Sequence, residues 1–158
     1  MQRNTEIERK FLVCGEEFMS LATEKHEIAQ GYLCREAERT IRVRICDARA
    51  FITIKSNTIR DGIAKFEWEK EIDLGDANEL LEIALPGVIK KTRYIIPAPA
   101  YKGQKRKWEV DVFHGRLEGQ LLAEIELGAE DEPYERPAWL GDEVTGDERY
   151  TNAYLSSI

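Results

Sequence analysis

Glu6-Ile7-Glu8-Arg9-Lys10-Phe11-Leu12-Val13 is the stretch whose reading decides the fold. At the two-residue period of a β-strand, Glu6, Glu8 and Lys10 share one face, while Ile7, Phe11 and Val13 share the other. A strand with one solvated face would look the same, so the weight of the pattern comes from its repetition. Arg39 to Cys46 sets Thr40, Arg42 and Arg44 opposite Ile41, Val43 and Ile45, and Ala50 to Lys55 sets Thr53 and Lys55 opposite Ile52 and Ile54. Phe66 to Ile72 sets Glu67, Glu69 and Glu71 opposite Phe66, Trp68 and Ile72. Lys91 and Arg93 oppose Thr92 and Tyr94, Glu109 and Asp111 oppose Trp108, Val110 and Val112, and Glu124 and Glu126 oppose Ala123, Ile125 and Leu127.

Between these runs the chain carries helix and turn signals. Glu27 to Arg35 reads as a second strand with Gln30, Tyr32 and Cys34 on one side. Glu16 to Lys25 places Phe18, Leu21 and Ala22 at helical spacing. Asp76 and Glu79 have the spacing of a capping box ahead of Leu80, Leu81, Ile83 and Ala84, and Pro86 stops that helix. Asp61-Gly62 marks a turn, Pro97 and Pro99 are expected to end their strand, and the acidic tail from Asp131 should turn through Asp142 to Gly146 before a helix from about Glu148.

Composition bounds the function. A chain of 158 residues is a one-domain length, so residues 1–158 are expected to share one core. Charged residues make up 34% of it, well above the average of about 25%, and that excess needs a location. A formal net charge of -7 argues against nucleic acid or an anionic membrane as partner, although it leaves room for a local cationic site. Cys14, Cys34 and Cys46 are odd in number, far apart and free of any Cys-x-x-Cys pair, as expected of reduced thiols. His26 and His114 are too isolated in sequence to predict a histidine-based metal or nucleophile site. Nowhere do about 18 apolar residues follow one another, so a cytoplasmic protein is expected.

The charged rows include six cations (Lys10, Arg42, Arg44, Lys55, Lys91, Arg93) and, besides Glu71, eight carboxylates (Glu6, Glu8, Glu67, Glu69, Glu109, Asp111, Glu124, Glu126). Same-sign neighbours such as Arg42 with Arg44, or Lys91 with Arg93, repel unless something anionic lies between them. A mainly β fold, a closed antiparallel barrel with an ionic lumen and helices over its apolar outside, accounts for the rows. Arginine and lysine suit phosphate oxygens, and clustered glutamates suit Mg²⁺ or Mn²⁺. No Gly-x-x-x-x-Gly-Lys run is present, so a phosphate loop is excluded.

In this ordered set, Glu6-x-Glu8-x-Lys10, Arg42-x-Arg44, Lys55, Glu67-x-Glu69, Lys91-x-Arg93, Glu109-Val-Asp111, Glu124-x-Glu126 and the closing Glu143-Val-Thr-Gly-Asp147-x-x-Tyr150-x-Asn152, the chain resembles the CYTH, or triphosphate tunnel metalloenzyme, superfamily. The resemblance implies an eight-stranded antiparallel tunnel that binds a triphosphate and a divalent cation. It implies Glu6, Glu8 and Glu126, with Glu124 as a weaker fourth, as metal ligands, and Lys10, Arg42, Arg44, Lys55, Lys91 and Arg93 as phosphate ligands. Glu67 and Glu69 would orient or activate the attacking water, and Lys10 and Tyr32 resemble a catalytic pair of small bacterial members.

The superfamily also holds adenylate cyclases, thiamine triphosphatases and RNA triphosphatases. Trp68 and Trp108 point away from the ionic rows, which leaves Tyr32 as the inner aromatic of the strands and favours inorganic tripolyphosphate over a substrate with a base. A class IV adenylate cyclase or an organic triphosphatase is the alternative enzyme, and a polyphosphate-binding module is the alternative outside catalysis. Assembly as a homodimer is left open.

Overall fold

The computed structural model describes residues 5–56 and 64–158, with side chains at 7–56 and 66–158. The expected turn at Asp61-Gly62 lies outside the described residues, and so does the side chain of Glu6. The strands are β1 (Thr5–Val13), β2 (Glu24–Arg35), β3 (Arg39–Cys46), β4 (Arg49–Ser56), β5 (Ala64–Ile72), β6 (Ile89–Tyr101), β7 (Gln104–Phe113), β8 (Leu121–Glu126) and β9 (Leu140–Glu143). The helices are α1 (Glu17–Leu21), α2 (Leu74–Glu82) and α3 (Asn152–Ser157). Among the described residues no helix is long and apolar enough to cross a membrane.

Neighbouring strands follow the order β5-β4-β3-β2-β6-β7-β8-β1, and β1 returns to β5 through Thr5 opposite Phe66 and Ile7 opposite Ala64. All these pairings are antiparallel, so β1 to β8 close into the expected barrel. Where the sequence predicts a turn from Asp142 to Gly146 with no strand before it, the structure has the short β9. It lies on the β5 side of β1, with Phe11 opposite Glu143 and Val13 opposite Leu140. With four residues that include Gly141 and Asp142, it offers no alternation to read.

Other boundaries differ for physical reasons. Pro97 and Pro99 do not end β6, which continues with Pro97 opposite Lys107 and Ala98 opposite Arg106. The β2–β6 ladder stops at Glu24 opposite Ile95, so beyond that point β6 has a free edge on which a missing N–H costs nothing. The longer β6 also draws Glu24 to His26 into β2, which leaves α1 only Glu17–Leu21. Asp73, not Asp76, occupies the N-cap of α2 and makes no side-chain cap bond, so Asp76 lies inside the first turn.

The outward rows form two apolar layers. Phe11, Trp108, Val110, Ala123 and Ile125 on the barrel pack under Phe18 of α1 and under Trp139 of the tail. Trp108 meets Trp139 edge-on at 5.8 Å between ring centroids, so it is buried outside the barrel, away from the lumen. Across β3 and β4, Val43, Ala50, Ile45 and Ile52 pack under Ala77, Leu80 and Leu81 of α2.

A third cluster belongs to the inward rows. Ile89, Phe113, Leu122 and Leu12 continue the alternation that carries Lys91, Asp111, Glu124 and Lys10, and Leu155 of α3 joins them. One end of the lumen therefore has an apolar stopper, and α3 is seated on it. The seat depends on Gly87, whose φ is +103 and whose missing Cβ would collide with the carbonyl oxygen of Ser156. Arg116 ties the two segments by donating to the Leu155 carbonyl at 3.1 Å and to the Gly87 carbonyl at 2.9 Å. Gly87→Ala is expected to lower stability by about 1 to 3 kcal/mol, through overpacking against backbone and an unfavourable φ, as a shift of the urea midpoint at constant m-value.

Candidate active site

The lumen opens into a cavity of about 440 Å³ whose wall includes Glu8, Lys10, Tyr32, Arg42, Arg44, Lys55, Glu67, Glu69, Arg93, Glu109, Glu124 and Glu126. Register explains the gathering. Glu8 stands opposite Glu126, Lys10 opposite Glu124, and Glu109 opposite Glu124, so carboxylates from β1, β7 and β8 occupy neighbouring rungs. On the other side Tyr32, Arg42, Thr53 and Glu69 form one rung across β2 to β5, while Thr40, Lys55 and Glu67 form the next.

The charges are interlocked. Lys10 Nζ lies 3.3 Å from Glu124 Oε1 and donates to the Tyr150 carbonyl at 3.0 Å. Arg93 grips Asp111 with two bonds of 2.7 and 2.9 Å and donates its remaining Nη1 to Glu109 at 2.9 Å. Arg42 donates to the buried hydroxyl of Thr53 at 3.2 Å, which donates on to Glu69 Oε2 at 2.8 Å. Lys55 faces Glu67 at 3.6 Å, and Glu67 Oε2 has no hydrogen-bond partner among the described residues. Arg44 differs from these in having no ion pair among the described residues; its Nε donates to the neutral Gln30 Oε1 at 2.8 Å.

Lys91 is not on this wall. It is fully buried beside the apolar stopper, 2.7 Å from Asp111 and donating to Asn152 Oδ1 at 3.0 Å, with its ammonium over the Phe113 ring. The structure thus brings the other described candidates to one cavity and sets Lys91 behind it, as the link between Asp111 and α3.

The CYTH domain family matches residues 4–153. The chain belongs to this family. Over 95% of its length this CYTH chain is 40% identical to an inorganic triphosphatase of Acetivibrio thermocellus, covering 92% of that protein. Over 96% of its length it is 36% identical to an inorganic triphosphatase of Nitrosomonas europaea, covering 97% of that protein. It also superposes on the crystal structure of the inorganic triphosphatase NE1496 with a TM-score of 0.62 at 32% identity, over 96% of this chain and 93% of that one.

The electrostatics of this CYTH lumen follow from the pairings. Burial would raise the Glu124 carboxyl, but Lys10 and Arg93 outweigh it and hold Glu124 below the usual carboxylate range. Burial works against the Lys10 ammonium, and Glu124 and Glu8 reverse that and raise its pKa. Burial likewise opposes Asp111, yet Arg93 and Lys91 keep it ionised far into acid. Burial, then Arg42 and Arg93, push Arg44 down to about 9 against the attraction of Asp111, so it is charged at neutral pH.

Glu8, Glu109, Glu124 and Glu126 offer an all-oxygen donor set, which fits a hard divalent cation and not a thiophilic one. His26, Cys46 and Asp47, distant in sequence for the histidine, also bring ligand-type atoms within 4.8 Å of one another. There His26 Nδ1 lies 2.7 Å from Asp47 Oδ2 and the Glu27 N–H donates to Asp47 Oδ1, so both carboxylate oxygens are engaged in holding the β3–β4 hairpin.

Several wall residues escaped the strand pattern. A bulge after Tyr32 sets Cys34 opposite the outward Ile41 and Arg35 opposite Thr40, which turns Arg35 to the wall in place of Cys34. Arg35 donates to the carbonyls of Pro86 and Ser156, at 2.9 and 3.1 Å. Asn152, Tyr154 and Ser157 reach the cavity from α3, a helix of six residues too short to show a period. The closing Tyr150-x-Asn152 was the available signal, since the Tyr150 carbonyl and Asn152 Oδ1 are what Lys10 and Lys91 bond.

Proposed function

We propose that this chain is an inorganic triphosphatase that hydrolyses tripolyphosphate to pyrophosphate and phosphate with Mg²⁺ or Mn²⁺ bound. The observation that carries the reading is a single cavity with phosphate-binding cations on β3, β4 and β6 and an all-oxygen carboxylate cluster on β1, β7 and β8. Relatives named as inorganic triphosphatases along nearly the whole chain support it.

Glu8 and Glu126, facing each other across β1 and β8, with Glu124 beside them, would hold the cation. Bound there, it supplies charge neutralisation at the scissile phosphate. Arg42, Arg44, Lys55 and Arg93 spread positive charge along the phosphate chain, and Lys10, held by Glu124 and the Tyr150 carbonyl, stands at the carboxylate side of the same cavity to polarise the terminal phosphate beside Tyr32. Of the two candidate glutamates, Glu67 keeps an oxygen with no hydrogen bond among the described residues and serves to orient the water, whereas Glu69 accepts from Thr53 and serves to steady Arg42. Lys91 acts indirectly, by fixing Asp111 and therefore Arg93.

Tyr154 favours a secondary substrate class. Tyr154 is 39% exposed and lines the cavity, where a base could stack on its ring, so nucleoside triphosphates are expected as weaker substrates. Product analysis with Mg²⁺ or Mn²⁺ tests both statements. Tripolyphosphate should give phosphate with a higher kcat/KM than ATP, and Tyr154→Ala should lower turnover of ATP more than that of tripolyphosphate. Formation of cyclic AMP and pyrophosphate from ATP at an equal or greater rate would replace this reading with that of a cyclase.

A further inference from the structure

Of the six cations that the strand alternation sets on the inward rows, five have a carboxylate within ion-pair distance among the described residues and Arg44 has none. Arg35, which the bulge adds to the wall, is engaged by the Pro86 and Ser156 carbonyls. The group that holds Arg44 instead is Gln30, whose side chain is fully buried and does not line the cavity. Gln30 Oε1 accepts from Arg44 Nε at 2.8 Å, and Gln30 Nε2 makes no hydrogen bond among the described residues. The amide orientation is chemically determined, because a guanidinium has donors only and requires the oxygen to face it. An unmet buried amide N–H costs stability, and a glutamate of the same shape would bind Arg44 more strongly through a charge-assisted bond. The chain carries the weaker acceptor at an inward position where a carboxylate would neutralise a cavity cation.

We propose that Gln30 is a positioning residue for the anion site: its neutral oxygen fixes Arg44 in the wall without cancelling its charge, so that Arg44 is left for a phosphate group of the substrate to complete. The inference rests on the triphosphatase reading and goes beyond it by assigning the site's unbalanced charge to one arginine and its cause to one amide. Arg42 and Arg93, which repel Arg44, take Glu69, Asp111 and Glu109 as their own ion-pair partners, so Arg44 is the one of the three without an ion pair among the described residues. A ligand with more phosphate charge gains most from such a site.

The test uses two near-isosteric substitutions, Gln30→Glu and Gln30→Met. Tripolyphosphate is titrated calorimetrically into the parent and both variants in EDTA, where no turnover occurs, and KM and kcat are measured with Mg²⁺. The expected order of affinity is parent, then Gln30→Met, then Gln30→Glu, with Gln30→Glu weaker than the parent by about tenfold or more. KM should rise by a similar factor, with a smaller change in kcat, and ligand-free Gln30→Glu should melt no lower than Gln30→Met.

If Gln30 merely held Arg44 in place, Gln30→Glu would restore the acceptor and bind better than Gln30→Met, and that order overturns the proposal. Parent-like affinity in Gln30→Glu overturns it too. Should Gln30→Glu fail to fold, a folded Gln30→Met with parent affinity overturns the proposal, and one with weakened affinity and raised KM supports it. A parent protein that neither binds nor hydrolyses tripolyphosphate removes the triphosphatase reading and this inference together, whereas unchanged variants of a working parent remove only this one.

Discussion

Arg44→Met is expected to lower kcat/KM for tripolyphosphate by about 2 to 5 kcal/mol in transition-state stabilisation while leaving the ligand-free protein as stable as the parent or slightly more so. The two halves of this expectation have one cause. Arg44 has a neutral amide as its hydrogen-bond partner and two arginines for neighbours, so in the empty cavity its charge is repelled more than it is attracted. Methionine keeps the apolar stem and removes the charge, which relieves that repulsion and leaves a substrate phosphate without its counter-charge. The same substitution at Arg93 would behave differently, because Arg93 is clamped on Asp111 and Glu109, and its loss would strand Glu109 and leave buried Asp111 with Lys91 alone. Steady-state kinetics with thermal melting of the ligand-free protein checks the pair. Parent-like kcat/KM in Arg44→Met would place Arg44 outside the site, and a marked fall in melting temperature would make it structural.

Glu8→Gln is expected to lower turnover by more than about 100-fold, since even the supporting partners of a metal ligand contribute on the order of 10- to 100-fold. Stability again separates site from scaffold. Glu8 stands directly opposite Glu126, and like charges in such a cross-strand pair destabilise, so the ligand-free variant should melt at or slightly above the parent. Lys10 keeps Glu124 at 3.3 Å and the Tyr150 carbonyl at 3.0 Å, so it is not left without partners. If Glu8 served only as a counter-ion of Lys10, its loss would instead lower stability by about 1 to 3 kcal/mol. Mg²⁺ added with tripolyphosphate should raise the melting temperature of the parent, because a ligand held only by the folded state stabilises it by mass action, and this rise should shrink in Glu8→Gln. Normal turnover with an undiminished rise would take Glu8 out of the metal site.

What the sequence by itself determined is the division of the strands into an ionic and an apolar face. Arg39 to Cys46 shows why: side-chain direction in a strand has a period of two, so the side on which Arg42 and Arg44 lie is a local property, readable without knowing any partner strand. That the charged faces must meet one another also follows locally, from rows such as Arg42 with Arg44 that solvent alone would leave unexplained. Depth and partnership are not local. Lys91 and Arg93 read alike in sequence, yet the stagger of β6 against β7 places one behind the cavity on Phe113 and Asn152 and the other on its wall. The bulge after Tyr32, which exchanges Cys34 for Arg35, exists only in the pairing of β2 with β3. Tyr154 reaches the cavity because Gly87 lets α3 sit on the barrel end, a contact between segments about seventy residues apart. Only the tertiary structure decided which cation meets a carboxylate and which meets an amide, because ion-pair partnership depends on the register between strands, and register is set by the whole closed sheet, not by any one strand.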